Sequence, residues 1–280
     1  MLDRLADLFI TESASFGGYK AMKLLPVTRI QRPIMDEFQS GFFQKTPVIL
    51  TGFTDNWLAR KLWKPESMKQ VFGHITVPLR GSDNEFEVFF KHVGATSMTL
   101  GQYFDAIADP MRPGRPPFLG NISFDDPGTR EHLKPLRSHF SFPKLFPGKD
   151  KQELRLWIGA FGQRSTIHND NYDNLNAQVV GQKKFLLFSP EQHARLYPRK
   201  LSDYCWASPV DPDSPDFEQY PLSRQLEGFQ CTLDPGDMLY IPIFWWHQAV
   251  SESLAINVNM WVYADGQTTL WSEPVLAAVS

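Results

Sequence analysis

The sequence predicts a mainly β fold: an antiparallel barrel or sandwich in the second half of the chain, with helices of the first half packed outside it. Strand-like segments follow one another from residue 153 onward. Tight turns separate some of them, at Gly181 and at Asp234-Pro235-Gly236, and consecutive strands separated in this way imply an antiparallel barrel or sandwich. A chain of 280 residues with 42% hydrophobic residues is long enough for a large core.

The first 150 residues mix helical and extended segments. The stretches MDEFQSGFF and TLGQYFDAIAD have the pattern of helices, and TPVILTGF has that of a buried strand ending in a turn. PESMKQVFG begins with proline and ends with glycine, the order that helices prefer. Residues 110–150 are rich in proline and glycine but carry apolar residues throughout, which indicates a covering segment rather than a linker.

Strand patterns and one short helix fill the second half. The strand segments are ELRLWIGAF, NAQVVG, KKFLLF, CTLDPGDMLYIPI, HQAVSE and LAINVNMWV. The helix SPEQHARLYP begins with a predicted capping box, in which Ser189 is the N-cap, Pro190 the first helical residue and Gln192 the third.

The predicted organisation is one domain with two short extensions. Residues 1–25 combine an amphipathic stretch with a Gly-Gly break, a pattern typical of a loosely attached arm. One domain spans residues 26–265, with its β-barrel core at about 153–263, and a tail of residues 266–280 follows. We expect either a monomer or a homodimer.

Composition excludes several classes of function. The formal charge of −3, from 28 basic and 31 acidic residues, gives no electrostatic case for general nucleic-acid binding, although it leaves a local basic groove open. Two cysteines are too few for a disulfide framework or a thiolate zinc site. The sequence has no secretory signal and no apolar run of about 18 residues that would span a membrane. We therefore expect a soluble cytoplasmic protein without a membrane partner.

A candidate metal site lies in RSTIHNDNYDNLNAQVVGQKKFLLF, residues 164 to 188. Side chains two residues apart in a strand share a face, so His168 and Asp170 point the same way, whereas Asp173 has the wrong parity if the strand continues that far. His247 ends the strand GDMLYIPIFWWH. Two imidazoles and one carboxylate leave about three positions open on an octahedral metal, as in non-haem Fe(II) oxygenases. A structural site would be closed by four protein ligands.

Other interpretations of these residues stay open. A lone histidine on a strand is commonly a hydrogen-bonded core residue. A calcium loop fits NDNYDN poorly, because the turn glycine and closing glutamate are missing. A hydrolytic zinc site is chemically compatible with two histidines and an aspartate, but it needs a nearby general base that the sequence does not indicate.

Lys183 and the strand AINVNMWV add a second indication. Lys183 is in phase with Phe185 and Leu187 and is therefore expected to be buried, where an ammonium needs an anionic partner. That partner is a protein carboxylate or a ligand carboxylate, unless the side chain reaches solvent. Asn257 and Asn259 share one face of their strand, which either binds a dicarboxylate or is solvated.

Several long segments in the right order resemble the JmjC and cupin-like Fe(II)/2-oxoglutarate oxygenases. These are IHNDNYDNLNAQVVGQKKFLLFSPEQHARLYP, SPVDPDSPDFEQYP and LDPGDMLYIPIFWWHQAVS. The resemblance runs from about TPVILTGF to NVNMWV, most of the chain. It is strongest to hydroxylase-type members, such as the asparaginyl hydroxylase that acts on hypoxia-inducible factor and the tRNA wybutosine hydroxylase.

The resemblance implies a double-stranded β-helix (jelly-roll) and a set of site residues. His168, Asp170 and His247 would hold Fe(II), which would also bind 2-oxoglutarate and O2. Lys183 would pair with the far carboxylate of 2-oxoglutarate. The positions that match polar co-substrate contacts of the family are Ser165, Asn174 and Asn259. Phe118 stands where relatives often have a tyrosine, which puts one contact to 2-oxoglutarate in doubt.

The implied activity is hydroxylation of an unactivated C–H bond with release of succinate and CO2. A protein side chain is the expected substrate; a tRNA nucleoside or a small metabolite is the alternative within this class. A catalytically silent cupin-type binding protein is the alternative outside it. Histone demethylation is less favoured, because the sequence has no Cys/His-rich zinc module. The acidic segment 201–230 mildly favours a peptide or a basic small molecule, unless it is simply a solvated loop.

Overall fold

Two seven-stranded sheets form the core of the molecule. A computed structural model of the chain describes residues 22–79, 96–108, 119–148, 152–202 and 205–263. The first sheet has the order β1-β13-β10-β15-β8-β12-β11, and the second has the order β2-β3-β14-β9-β16-β7-β6. This arrangement confirms the predicted jelly-roll.

The elements are numbered here in chain order. The strands are β1 (Lys23–Pro26), β2 (Arg29–Gln31), β3 (Val48–Thr51), β4 (Thr76–Leu79), β5 (Thr96–Thr99), β6 (Leu119–Ser123), β7 (Gln152–Gly159), β8 (His168–Asp170), β9 (Tyr172–Val180), β10 (Lys183–Phe188), β11 (Arg199–Ser202), β12 (Cys205–Ala207), β13 (Glu227–Leu233), β14 (Met238–Ile241), β15 (Trp246–Ser251) and β16 (Ala255–Tyr263). The α-helices are α1 (Met35–Gly41), α2 (Leu58–Leu62), α3 (Pro65–Phe72), α4 (Leu100–Ala108) and α5 (Arg130–Arg137). Two 3-10 helices span Pro190–Leu196 and Pro221–Gln225.

The second sheet has one face toward the helices and the other toward the first sheet. On β16, Ile256, Val258 and Met260 belong to a hydrophobic cluster that also contains Phe38 of α1 and Met68 of α3. This is the outer face of the sheet. The helices of the first half therefore pack outside the barrel, as the sequence predicts.

An apolar cluster between the two sheets fills part of the barrel. Phe185 and Leu187 of β10 pack there with Leu239 and Ile241 of β14 and with Ile49 of β3. Because Lys183 shares the face of Phe185 and Leu187, its stem also begins on the inner side of the first sheet.

The N-terminal boundary of the domain differs from the prediction. Lys23–Pro26 forms β1, which pairs in parallel with β13, and Met22 is buried. The segment up to residue 25 is therefore not wholly a loose arm, since its last residues complete the first sheet. Parallel pairing with a strand about 200 residues away leaves no local pattern in the sequence. Residues 1–21 and 264–280, which include the predicted tail, lie outside the described part of the chain.

Local details also depart from the predictions. The segment SPEQHARLYP forms a 3-10 helix, and the Ser189 side chain makes no capping hydrogen bond. Instead the backbone N–H of Gln192 donates to the Ser189 carbonyl at 3.0 Å. The covering segment contains α5, an unpredicted helix with Pro135 near its end. None of the described helices is long and apolar enough to cross a membrane.

Candidate metal centre and co-substrate pocket

The three predicted metal ligands come together inside the barrel. His168 and Asp170 lie on β8, and His247 lies on β15. These strands are antiparallel neighbours in which His168 and His247 face each other directly. Alternation along β8 turns Asp170 to the same face as His168.

The distances within this triad suit a single ion. Its three ligand atoms lie within 4.8 Å of one another. The Nε2 atoms of His168 and His247 are 3.9 and 3.7 Å from Oδ2 of Asp170, and the two imidazole centroids are 4.2 Å apart. Metal–ligand bonds of about 2 Å put neighbouring ligand atoms roughly 3–3.5 Å apart, close to this arrangement.

Hydrogen bonds to the backbone turn the Nε2 atom of each histidine toward Asp170. Nδ1 of His168 is 2.9 Å from the carbonyl oxygen of Thr166, and Nδ1 of His247 is 3.0 Å from that of Trp245. A carbonyl only accepts, so each Nδ1 carries the proton and each Nε2 keeps its lone pair. Burial lowers the pKa of His168 well below its usual value and that of His247 to about 4. Both rings are therefore neutral, the form that binds a metal.

The carboxyl group of Asp170 lacks a cationic side-chain partner in the described residues. Burial raises its pKa to about 7, and a hydrogen bond from Tyr172 acts in the opposite direction. The Tyr172 ring is itself held against Trp261, at 4.3 Å between centroids and 26° between planes. A cation bound among the three ligands would stabilise the ionised carboxylate.

Asp173 lies apart from the triad, but the change of sheet separates it rather than strand parity, because β8 ends at Asp170. The chain passes at Asn171 from β8 in the first sheet to β9 in the second. Oδ1 of Asp173 accepts hydrogen bonds from the Tyr240 hydroxyl at 2.5 Å and from the Ile243 backbone N–H at 3.2 Å. Asp173 is therefore a buried structural carboxylate.

Lys183 is a buried ammonium without an acidic partner in the described residues. Its residue is 8% exposed, so its head group does not reach solvent freely. Nζ donates to Oδ1 of Asn257, a neutral amide. Burial lowers the pKa of Lys183 to about 7, and no protein carboxylate counteracts this effect. Of the three partners considered from the sequence, a ligand carboxylate is the one that agrees with these contacts.

A chain of three asparagines continues from Lys183 across the inner face of the second sheet. Nδ2 of Asn257 donates to Oδ1 of Asn259 at 2.8 Å, and Nδ2 of Asn259 donates to Oδ1 of Asn174 at 3.1 Å. We call Asn257, Asn259 and Asn174 the amide chain. Sequence reasoning placed Asn257 on the right face but assigned it no contact, because strand alternation does not identify a partner on another strand.

Ser165 holds the segment before β8 against β15. Its N–H donates to the Ala249 carbonyl at 2.9 Å, and its hydroxyl accepts from the Ala249 N–H at 3.0 Å. Ala249 is two residues from His247, so this contact stabilises the alignment of the two histidine strands. Phe118, the other residue considered for co-substrate binding, lies outside the described residues.

The two tryptophans before His247 point in opposite directions. Trp245 joins the apolar cluster inside the barrel and contacts Phe229, with ring centroids 5.8 Å apart. Trp246 is fully buried behind the first sheet, where it packs with Leu186 and Leu196. Only Trp245 can therefore form a wall of the barrel interior.

The donor set fits an Fe(II) ion better than the alternatives weighed from the sequence. Two imidazole nitrogens and one carboxylate match the facial triad of non-haem iron sites and leave positions open. A calcium site would need several more oxygen ligands. In the described residues the triad is the one group of at least three His, Cys, Asp or Glu side chains arranged to hold a metal.

Comparison with protein families decides the relationship. A family described as a cupin-like domain matches residues 35–267, which include all of β3 to β16. The chain belongs to the cupin-like domain family. The resemblance to the cupin-like and JmjC oxygenases is thereby confirmed, and with it the Fe(II), 2-oxoglutarate and O2 that the sequence predicts as cofactors.

Relatives of this cupin-like chain are named as lysine-specific demethylases or as a Jumonji C domain-containing protein. It is 30% identical over 220 residues to lysine-specific demethylase JMJ30 of Arabidopsis thaliana, covering 77% of this chain and 49% of that protein. Lysine-specific demethylase 8 of Danio rerio is 30% identical over 84% of this chain and 58% of its own length. Jumonji C domain-containing protein 5 of Drosophila melanogaster is 27% identical, with coverages of 84% and 59%. The chain thus spans about half the length of these relatives.

Proposed function

We propose that the chain is an Fe(II)- and 2-oxoglutarate-dependent dioxygenase that hydroxylates an unactivated C–H bond of a protein side chain. The observation that carries this proposal is the burial of Lys183, an ammonium without an acidic partner in the described residues, in the barrel that holds the triad. A metal site alone would fit many activities. A metal site together with a receptor for a distant carboxylate fits a chelating keto-diacid.

His168, Asp170 and His247 would hold Fe(II), and Lys183 would bind the far carboxylate of 2-oxoglutarate. The bound iron and co-substrate would supply the oxidising chemistry, in which one oxygen atom of O2 enters the substrate C–H bond and 2-oxoglutarate becomes succinate and CO2. The protein side chains bind and orient. The two Nδ1–carbonyl hydrogen bonds fix the imidazole tautomers, and the apolar cluster with Trp245 excludes water from one side of the interior.

The substrate assignment rests on the relatives and on a reassessment of segment 201–230. Two relatives are named for lysine, a residue of proteins. The acidic segment itself gives little support for a basic substrate. Arg164 forms ion pairs with Asp211 and Asp213, and Lys23 pairs with Glu227, so several of its charges are already compensated.

A succinate assay tests the proposed activity. The purified protein should release succinate from 2-oxoglutarate when Fe(II), ascorbate and a peptide extract of cell lysate are supplied. Asp170→Ala, which removes a metal ligand but keeps Lys183, should abolish this release. If the wild-type chain binds 2-oxoglutarate with metal but gives no succinate with any extract, it is the silent binding protein instead.

Lysine demethylation is a second candidate, because the names of two relatives state it. Oxidation of an N-methyl carbon gives an unstable hydroxymethyl group, which leaves as formaldehyde. Peptide mass spectrometry separates the two outcomes: hydroxylation adds one oxygen atom to the peptide, whereas demethylation removes one methyl carbon. We expect the oxygen adduct. Loss of methyl groups together with formaldehyde would favour demethylation.

A cytoplasmic location is also part of the proposal. Its support is the pair of cysteines, Cys205 and Cys231, neither of which forms a disulfide. Imaging of a fluorescent fusion in cells checks it, and an accumulation in the nucleus or in an organelle would contradict it. The choice between monomer and homodimer stays a prediction for analytical ultracentrifugation.

A further inference from the structure

The amide chain is a continuous polar path inside a largely apolar barrel. It runs from Lys183 on β10, through Asn257 and Asn259 on β16, to Asn174 on β9. All four side chains are buried. Polar groups in such a place are costly unless each finds a partner, so a chain of this length calls for a reason beyond packing.

One charged group sets the direction of every hydrogen bond in the chain. An ammonium has three donors and no acceptor, so Asn257 must turn its carbonyl oxygen toward Lys183. Its amide nitrogen then faces Asn259, which must present its own oxygen. The amide nitrogen of Asn259 in turn faces the oxygen of Asn174. Reversal of any one amide would bring two donors or two acceptors together.

The far end of the chain is therefore a hydrogen-bond donor. With its oxygen used by Asn259, Asn174 has its amide nitrogen left, and within the described part of the chain that nitrogen makes no hydrogen bond. Asn174 follows Asp170 by four residues and lies on the inner face, beside Ile241 of the neighbouring strand. A cation at one end and an amide donor at the other both suit a ligand that carries oxygen acceptors at two places.

We propose that Asn257 is a positioning residue for 2-oxoglutarate: it holds the Lys183 ammonium in place and, through Asn259, fixes the amide of Asn174 as a donor. This inference rests on the proposed function. Asn257 uses its oxygen on Lys183 and its nitrogen on Asn259, so it acts on the co-substrate through these two neighbours. None of the sequence motifs assigns it this role.

Asparagine meets both demands with one short side chain. An aspartate at position 257 would accept from Lys183 but could not donate to Asn259, and its charge would neutralise the ammonium. An alanine would leave Lys183 without its acceptor and Asn259 without its donor. Each change should weaken co-substrate binding, for different reasons, while the metal ligands on β8 and β15 stay in place.

A double-mutant cycle on co-substrate binding tests the inference. Calorimetric titration of 2-oxoglutarate under argon, into protein saturated with Mn(II), gives the Kd of wild type, Asn257→Ala, Lys183→Met and the double variant. Asn257→Asp is the isosteric second variant, in case Asn257→Ala fails to fold. Asn176→Ala is the matched control, because Asn176 is a buried asparagine on β9 opposite Asn259 that lies outside the amide chain.

We expect Asn257→Ala and Asn257→Asp each to raise the Kd about tenfold or more, with Mn(II) affinity unchanged and Asn176→Ala within about twofold of wild type. The double variant should bind more tightly than the product of the two single effects predicts, since part of the effect of Asn257 is exerted through Lys183. Unchanged binding in both Asn257 variants would overturn the inference. The inference would also be overturned if the increases in Kd caused by Asn257→Ala and Lys183→Met simply multiplied in the double variant, as they do for independent residues. Failure of the wild type itself to bind 2-oxoglutarate with metal would instead refute the proposed function.

Discussion

At the residue scale, the environment of Lys183 is the main support for the proposed co-substrate pocket. A buried ammonium whose described partner is a neutral amide is held in an unfavourable state. The sequence showed that Lys183 lies in phase with core residues, but it left three partners open. Only the positions of residues on other strands could decide among them, because a partner across the barrel is not a neighbour along the chain.

The lowered pKa of Lys183 gives a pH dependence with a definite sign. Burial lowers this pKa to about 7, so the free protein loses the ammonium as the pH rises above 7. Binding of a carboxylate requires the proton, so the Kd for 2-oxoglutarate should rise by up to about tenfold per pH unit above 7. Calorimetry from pH 6 to pH 9 at saturating Mn(II) measures this rise.

Lys183→Arg is the control for that measurement. A guanidinium stays protonated over this range. The variant's Kd for 2-oxoglutarate should therefore be nearly independent of pH, even if the variant binds more weakly than the wild type. A wild-type Kd that is constant or falls between pH 7 and pH 9 would contradict the assignment of Lys183 as the carboxylate receptor.

Asp170 and Asp173 should respond to substitution in opposite ways. Asp170→Ala removes a ligand and should abolish metal binding with little loss of stability, because it relieves an uncompensated buried carboxyl. Asp173→Ala should leave metal binding intact but cost about 1–3 kcal/mol of stability, because it removes the acceptor of the Tyr240 hydroxyl and the Ile243 N–H. Mn(II) titration and urea unfolding measure the two effects. The reverse pattern would show that Asp173 is the metal ligand and Asp170 the structural carboxylate.

At the scale of elements, turns and strand pairs bring distant residues into the site. The turn between β9 and β10 links the second sheet, which carries Asn174, to the first, which carries Lys183, and it includes Gly181, whose φ is +66°. A Cβ at Gly181 would lie 1.9 Å from the carbonyl oxygen of Leu254. The turn glycine, recognised from the sequence, is thus needed both for its backbone conformation and for its close approach to the turn between β15 and β16.

Gly181→Ala should therefore destabilise the protein more than a matched substitution elsewhere. Gly162 also has positive φ, at +75°, but no atom lies within 4 Å of a Cβ there. Gly162→Ala should cost about 1–2 kcal/mol from backbone strain alone, whereas Gly181→Ala should cost at least about 2 kcal/mol more. Urea unfolding measures the stability of both variants. Equal losses of stability would show that neighbouring atoms move to relieve the clash at Gly181.

Elements with a local signature were predicted, and those formed by distant pairing were not. The period of two along β8 was enough to group His168 with Asp170, whereas Asp173 is separated from them by the change of sheet at Asn171. By contrast, β12 lies in segment 201–230, which the sequence indicated only as a loop, yet it pairs with β8 directly beside the triad. Helix α5 escaped prediction because its proline and charged residues resemble those of a covering segment.

At the scale of the whole molecule, the N-terminal part completes both sheets. β1 pairs with β13, and β2 and β3 extend the second sheet next to β14. The barrel is therefore not confined to residues 153–263, and its N-terminal strands belong to the same fold as the site. Removal of residues 22–31, which carry β1 and β2, should lower stability, and thermal unfolding of that truncated chain measures the loss. An unchanged midpoint temperature of unfolding would show that β1 and β2 do not contribute to stability.

The most direct test of the account is whether 2-oxoglutarate binding needs both the metal triad and Lys183. Calorimetric titration under argon compares the wild type with and without Mn(II), Asp170→Ala with Mn(II), and Lys183→Met with Mn(II). We predict measurable binding only where the metal and the intact triad are both present, and Lys183→Met with Mn(II) should bind at least about tenfold more weakly than the wild type. If the wild type without Mn(II), or Asp170→Ala with Mn(II), binds 2-oxoglutarate as tightly as the metal-loaded wild type, that result would contradict the proposed site.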